Sequence, residues 1–161
     1  MRPKKKQVRA FRKLVKVRFP LRPGEWKELK AENLWAKPQT SGEFLVRSVP
    51  FYVYGISFGD TVHASPSRGI LRFAGVARRG GHSTYRMLLS EDDTIESQRF
   101  LKYWNPLETL GCTFELAKHR WVAVDVPPDI DINKIYSLLE KGEAGGAWSF
   151  EEGHCGHTIN S

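Results

Sequence analysis

The chain has 161 residues, 40% of them hydrophobic and 27% charged, with 25 Lys and Arg against 18 Asp and Glu for a formal net charge of +7. That length supports one compact domain or two small ones burying roughly two thirds of the unfolded surface, so disulfides and metals are not needed for folding. The longest near-apolar run, Val49 to Phe58, is broken by Pro50, Gly55 and Ser57 and is much shorter than the ~20 residues of a membrane helix, so no membrane partner is expected.

The charge is unevenly placed. Residues 1–22 carry ten cationic side chains and no acid, which leaves 15 cationic against 18 acidic residues in 23–161. A basic arm attracts phosphates without reading sequence, and Lys4, Lys5, Lys6, Arg9 and Arg12 are its candidate nucleic-acid contacts. The arm lacks the apolar core of a signal peptide. Cys112 and Cys155 are too few and too far apart to form a disulfide framework, so a reducing cytoplasm is the expected compartment.

Leu14 to Phe19 nearly alternates apolar and basic residues, as a half-buried strand would, and Pro20 ends it. After a turn at Pro23-Gly24, Leu34-Trp35-Ala36 reads as a strand running into Pro38 and Ser41-Gly42. Phe44 to Arg47, Phe51 to Tyr54, Thr61 to Ala64, Ile70 to Phe73 and Gly75 to Ala77 follow as short apolar pieces between turn residues. That spacing suits a small barrel or curled sheet.

Beyond Gly81 the pattern changes. Thr84 to Leu89 is a strand, and Asp93 to Glu96 offers a capping box for a helix carrying Phe100, Tyr103, Trp104 and Leu107 on one face. Asn105-Pro106 predicts that this helix stops near Trp104 and that a short turn runs on to Leu110. Cys112 to Leu116 and Trp121 to Val126 read as a hairpin. Asp131 caps a second helix with Ile132, Ile135, Tyr136 and Leu139 on one face, stopped at Gly142, and Ala147 to Glu151 is the last strand. The fold class expected is α+β: a β-rich N-terminal half followed by a ferredoxin-like βαββαβ half. The divisions are 1–12 (basic arm), 13–80 (β-rich), 81–152 (βαββαβ) and 153–161 (a Gly/His/Cys segment).

Right-handed crossovers in such a half give the strand order 4-1-3-2, with the last strand antiparallel to the first. His82, ahead of the first strand, then lies near Glu151 to His157 beyond the last, because neighbouring strands are ~4.8 Å apart. Cys112 emerges at the same edge two strand spacings away. Three Gly-His pairs, 81–82, 153–154 and 156–157, therefore converge. Imidazole and thiolate are the usual zinc ligands, so His82, His154, Cys155 and His157 form a candidate zinc site. Alternatively Cys155 is a nucleophile activated by His82 or His154, against the opposing charge of Glu151-Glu152. A third reading is purely structural, with the histidines hydrogen-bonded in place. Fingerprints of dinucleotide-binding, P-loop, G-x-S-x-G and H-E-x-x-H proteins are absent, as is the Lys/Arg-Gly-aromatic run of an RNA-recognition motif.

Ala31-Glu-Asn-Leu-Trp-Ala36, Val49-Pro-Phe51, Gly59-Asp60, Gly81-His-Ser-Thr-Tyr-Arg86 and Phe150-Glu-Glu-Gly-His-Cys-Gly-His157 together resemble a family of small bacterial proteins, domain of unknown function 4265. The resemblance covers most of residues 14–157. It implies a bacterial source and draws Glu32 and Trp35 into the candidate residues, and it supplies no catalytic role. The function expected is non-enzymatic: a binding or regulatory protein for an unknown protein or small-molecule partner. The alternatives are a metal- or cysteine-dependent enzyme using the Gly-His edge, and nucleic-acid binding through the arm.

Overall fold

The computed structural model describes residues 13–159, so the five candidate contacts Lys4, Lys5, Lys6, Arg9 and Arg12 lie outside the described residues. Five strands close into a barrel in the order β1 (Val15–Pro20), β2 (Ala31–Pro38), β3 (Glu43–Val46), β4 (Thr61–Ser67) and β5 (Ile70–Arg78). Neighbours pair antiparallel except at the closure, where β1 runs parallel to β5 with Val17 opposite Leu71 and Arg18 opposite Arg72. Alternation decides what the barrel contains. Val17, Phe19, Leu34 and Ala36 point into its core, while Lys16, Arg18, Asn33 and Trp35 point out.

The hairpin between β4 and β5 turns through Arg68 and Gly69, both at positive φ (53° and 77°), the condition for a two-residue turn that matches strand twist. The two pieces expected at Ile70 to Phe73 and Gly75 to Ala77 are a single strand. Gly75, at φ 137°, absorbs an irregularity in the register and lets β5 continue past it.

A second sheet follows, built from β6 (Ser83–Leu89), β7 (Thr113–Lys118), β8 (Trp121–Val126) and β9 (Trp148–His154) in the order β7-β8-β6-β9, every pairing antiparallel. Helices α1 (Gln98–Thr109) and α2 (Ile132–Ala144) cover one face. Tyr85, Met87, Val122, Val124 and Trp148 pack there against Phe100, Trp104, Leu107, Ile135 and Leu139.

Both helix ends differ from expectation. The capping box does not form, because the Asp93 carboxylate accepts from Arg99 Nε at 2.6 Å and the helix starts after Ser97. Pro106 does not break α1, whose buried face keeps Phe100, Trp104 and Leu107 against the sheet on both sides of the proline. A proline costs one helical hydrogen bond, which that burial offsets. Asp131 does cap α2, accepting from the Asn133 N–H at 3.0 Å, yet the helix runs through Gly142 to Ala144. Gly142 is buried where a Cβ would collide with the Trp148 indole, so its role is room for that ring.

Phe51 to Tyr54 is no strand. The segment between β3 and β4 is one long loop, and it fills the space between the barrel and the free face of the second sheet. Five successive residues of β6, Ser83 to Met87, are consequently buried. One face of β6 lies under the helices and the other under the loop.

Candidate functional site at the seam between barrel and sheet

The loop keeps its shape because its backbone groups are satisfied by side chains in place of a ladder. Glu32 is buried on the inner face of β2, and its carboxylate accepts from the N–H of Phe51 (2.7 Å), Tyr52 (3.0 Å) and Val53 (2.9 Å). Asp60, fully buried, accepts from Ser57 N at 2.9 Å, Gly80 N at 3.0 Å and Arg79 Nη1 at 3.0 Å. The indoles of Trp26 and Trp121 donate to the carbonyls of Tyr52 and Phe51.

From the other side comes Arg86, at the centre of β6 and 0% exposed. It donates from Nε to Glu151 at 3.2 Å and from Nη1 to the Val53 carbonyl at 2.9 Å. Among the described residues Nη2 has no hydrogen-bond partner. The guanidinium instead lies over the rings of Tyr54 and Trp26, at 4.4 and 5.9 Å, and their π faces offset the buried charge. Tyr54 in turn donates to Glu151 at 2.9 Å, and burial together with that carboxylate raises its hydroxyl pKa. Gly153 lets the guanidinium lie against the backbone of β9, since a Cβ would meet it at 3.1 Å.

The pairing of β6 with β9 brings the start of one strand to the end of the other, and Thr84 faces His154. The three Gly-His pairs do gather at this edge, with the Gly156 backbone against that of His82. Their rings, however, separate. His82 donates from Nδ1 to Asp125 at 2.9 Å and packs against Phe58. His154 Nδ1 lies 2.8 Å from Ser57 Oγ, itself 2.7 Å from Thr84 Oγ1. His157 donates from Nε2 to the Pro127 carbonyl at 2.8 Å and accepts at Nδ1 from Ser83 Oγ at 2.6 Å. Cys155 faces the helical side, packed against the core, and its thiol donates to the His157 carbonyl at 3.5 Å.

The four candidate zinc ligands are thus not assembled, and among the described residues no group of three or more His, Cys, Asp or Glu is placed to hold a metal ion. The reason is strand alternation, which sends His154 to the barrel side and Cys155 to the helix side. Neither His82 nor His154 hydrogen-bonds the Cys155 sulfur. Cys112 is 1% exposed, and burial pushes its thiol pKa up to about 12.

Burial also raises the pKa of Asp125, opposed by His82 beside it, and lowers that of His154, helped by the Arg79 charge. The His82–Asp125 pair is a carboxylate-oriented imidazole on a side chain 18% exposed, and among the described residues its Nε2 makes no hydrogen bond. Such a pair can accept a proton. The hydroxyls that touch imidazoles, on Ser57 and Ser83, are 0% exposed.

Of the residues named from the sequence, Glu32 enters the seam and Trp35 does not: Trp35 is 46% exposed on the outer barrel face. Arg86, Asp125, Ser57, Ser83, Tyr54 and Glu151 are not among the candidate site residues read from the sequence. A signal existed for Arg86, which ends the stretch Gly81 to Arg86 and sits as a lone cation within a strand otherwise free of charge.

A closed barrel packed through its long β3–β4 loop against a helix-covered antiparallel sheet defines a two-sheet α+β protein. The family model for a domain of unknown function, DUF4265, matches residues 32–150, and the chain belongs to that family. No curated protein matches the chain. It is similar to the crystal structure of a hypothetical protein from Neisseria gonorrhoeae, with a TM-score of 0.76 at 16% identity over 90% of this chain and 97% of that one. At that identity the likeness is one of fold. Among the described residues no helix is long and apolar enough to cross a membrane.

Proposed function

We propose that this chain is a non-enzymatic bacterial binding or regulatory protein of the cytoplasm, in which a small barrel (within residues 13–80) is locked onto a ferredoxin-like half (81–152). The ferredoxin-like assignment is supported by the strand order β7-β8-β6-β9 with two helices on one face. The cytoplasmic setting is supported by the two free thiols, Cys112 and Cys155.

One observation carries the functional reading. The polar side chains that could do chemistry at the seam are engaged with one another, His154 with Ser57 and Thr84, His157 with Ser83, and Arg86 with Glu151. Of these, His154 crosses to the loop at Ser57, and Arg86, held by Glu151, reaches the loop carbonyl of Val53; side chains so engaged leave the outer surface of the barrel for a partner. The test is a 15N NMR titration of the full chain with a panel of anionic polymers and small metabolites. Shifts confined to outer residues of β1, β2 and β5, with the titrant unchanged, support binding; chemical conversion of any titrant overturns it.

A second reading is favoured by His82 and Asp125, whose geometry suits a general base. It predicts shifts centred on His82, Phe58 and Asp125, with turnover abolished by His82→Asn.

A further inference from the structure

We infer that the outer face of β1, β2 and β5 is an interface for single-stranded nucleic acid, an inference that rests on the binding reading above and names its partner. The charge on this face has one sign. The three strands contain a single carboxylate, Glu32, and it points inward and is buried. Outward stand Lys16, Arg18, Lys37 and Arg72, with Lys30 at the head of β2, and among the described residues none of these five is in an ion pair.

Register brings the cations together. Arg18 is paired directly with Arg72 across the parallel closure and with Asn33 on its other side, donating to Asn33 Oδ1 at 3.2 Å. Two guanidinium groups on adjacent strands repel one another, and an anion lying between them relieves that repulsion. Beside them is a cavity of about 360 Å³ lined by Arg18, Lys30, Arg72, Pro20, Ala31 and Phe73. It combines three cations with an aromatic residue, Phe73.

The next row distinguishes the partner. Trp35 is paired with Lys16, 46% exposed, and its ring has the Lys16 ammonium 5.1 Å from its centre. An indole flanked by cations suits a base stacked on the ring with its phosphates on the lysine and arginines. An acidic polypeptide would use the cations and leave the indole face unmatched. In sequence, residues 1–12 ahead of β1 carry six further cations, and they lie outside the described residues.

The experiment is fluorescence anisotropy of the full chain with fluorescein-labelled single-stranded RNA and DNA of about 20 nucleotides, long enough for one or more barrel-sized sites. Their duplex and polyglutamate serve as comparisons. Binding of the single strand should weaken as salt rises, with a log–log slope of about −0.7 for each phosphate neutralised. Trp35→Ala should weaken it about tenfold and leave polyglutamate unaffected. Arg18→Ala with Arg72→Ala should weaken both polymers and flatten the salt slope by about 1.4. Trp35 and Arg72 are exposed and Arg18 is half-buried on the outer face of the barrel, so circular dichroism should report an unchanged fold.

Wild-type affinity in both variants, with binding lost only when residues 1–12 are removed, would overturn the interface. Polyglutamate bound as tightly as the single strand and indifferent to Trp35 would leave the binding reading standing and remove nucleic acid as the partner. Absence of binding to any polymer overturns the nucleic-acid inference, while the binding reading is decided by the NMR panel.

Discussion

The guanidinium of Arg86 lies over the ring of Tyr54, 4.4 Å from its centre, and both side chains reach the Glu151 carboxylate. One residue belongs to the middle of a sheet and the other to a loop leaving the barrel, so this stack fastens the two halves. Arg86 also caps loop carbonyls from below, while Glu32 holds loop N–H groups from the barrel side.

Removing that cation should cost far more than removing its acid. Arg86→Met is expected to lower unfolding stability by about 3 kcal/mol, since it strips buried loop carbonyls and a carboxylate of their partner. Glu151→Gln, at a side chain 38% exposed, should cost under about 1 kcal/mol. Urea unfolding followed by tryptophan fluorescence measures both, and equal losses would contradict the central place given to Arg86.

Glu32→Gln keeps the shape of the side chain and replaces one oxygen by a donor. A donor then faces either the Phe51 N–H or those of Tyr52 and Val53. An expected loss of about 1–3 kcal/mol follows from one unsatisfied buried group, with faster amide hydrogen exchange at residues 51–53. Unchanged exchange there would show that the loop does not depend on this carboxylate.

Stability should fall on acidification through His154. Its folded pKa lies below the ordinary imidazole value because burial and Arg79 disfavour the cation. The unfolded chain therefore binds more protons below about pH 6.5, and the stability present above that pH is lost as pH drops. Asp125, its carboxyl pKa raised by burial, has the opposite sign: its contribution is present in acid and lost as pH rises. The readout is the comparison of wild type with His154→Gln between pH 7.5 and 5.5, where the variant should show the shallower decline in Tm.

The two thiols should differ in reactivity. Cys155 is half-buried at the end of β9, whereas Cys112 is 1% exposed with its pKa pushed up to about 12. Alkylation at pH 8 followed by mass spectrometry should label Cys155 first, and Cys112 should react only on unfolding. Labelling of Cys112 at the same rate would place it at the surface.

Local pattern was enough for much of the chain. Alternation located β1, the hydrophobic periodicity located both helices, and Asp131 marked the start of α2 because a cap is made by residues two apart. Where the sequence misled, a distant residue had intervened. The Trp148 indole occupies the space beside Gly142 and lets α2 pass through it, Arg99 takes Asp93 from the capping box, and Glu32 holds Phe51 to Val53 out of a strand.

The candidate site divides along the same line. By itself the sequence determined that three Gly-His pairs meet at one sheet edge, because strand order follows from the succession of elements. Only the tertiary structure decided that the imidazoles turn to different partners, Asp125, Ser57 and Ser83, since ring direction depends on which face of the sheet each occupies and what covers it. It also decided that Arg18 and Arg72 stand side by side, because closure of a barrel is a contact between residues 54 positions apart that no local pattern specifies.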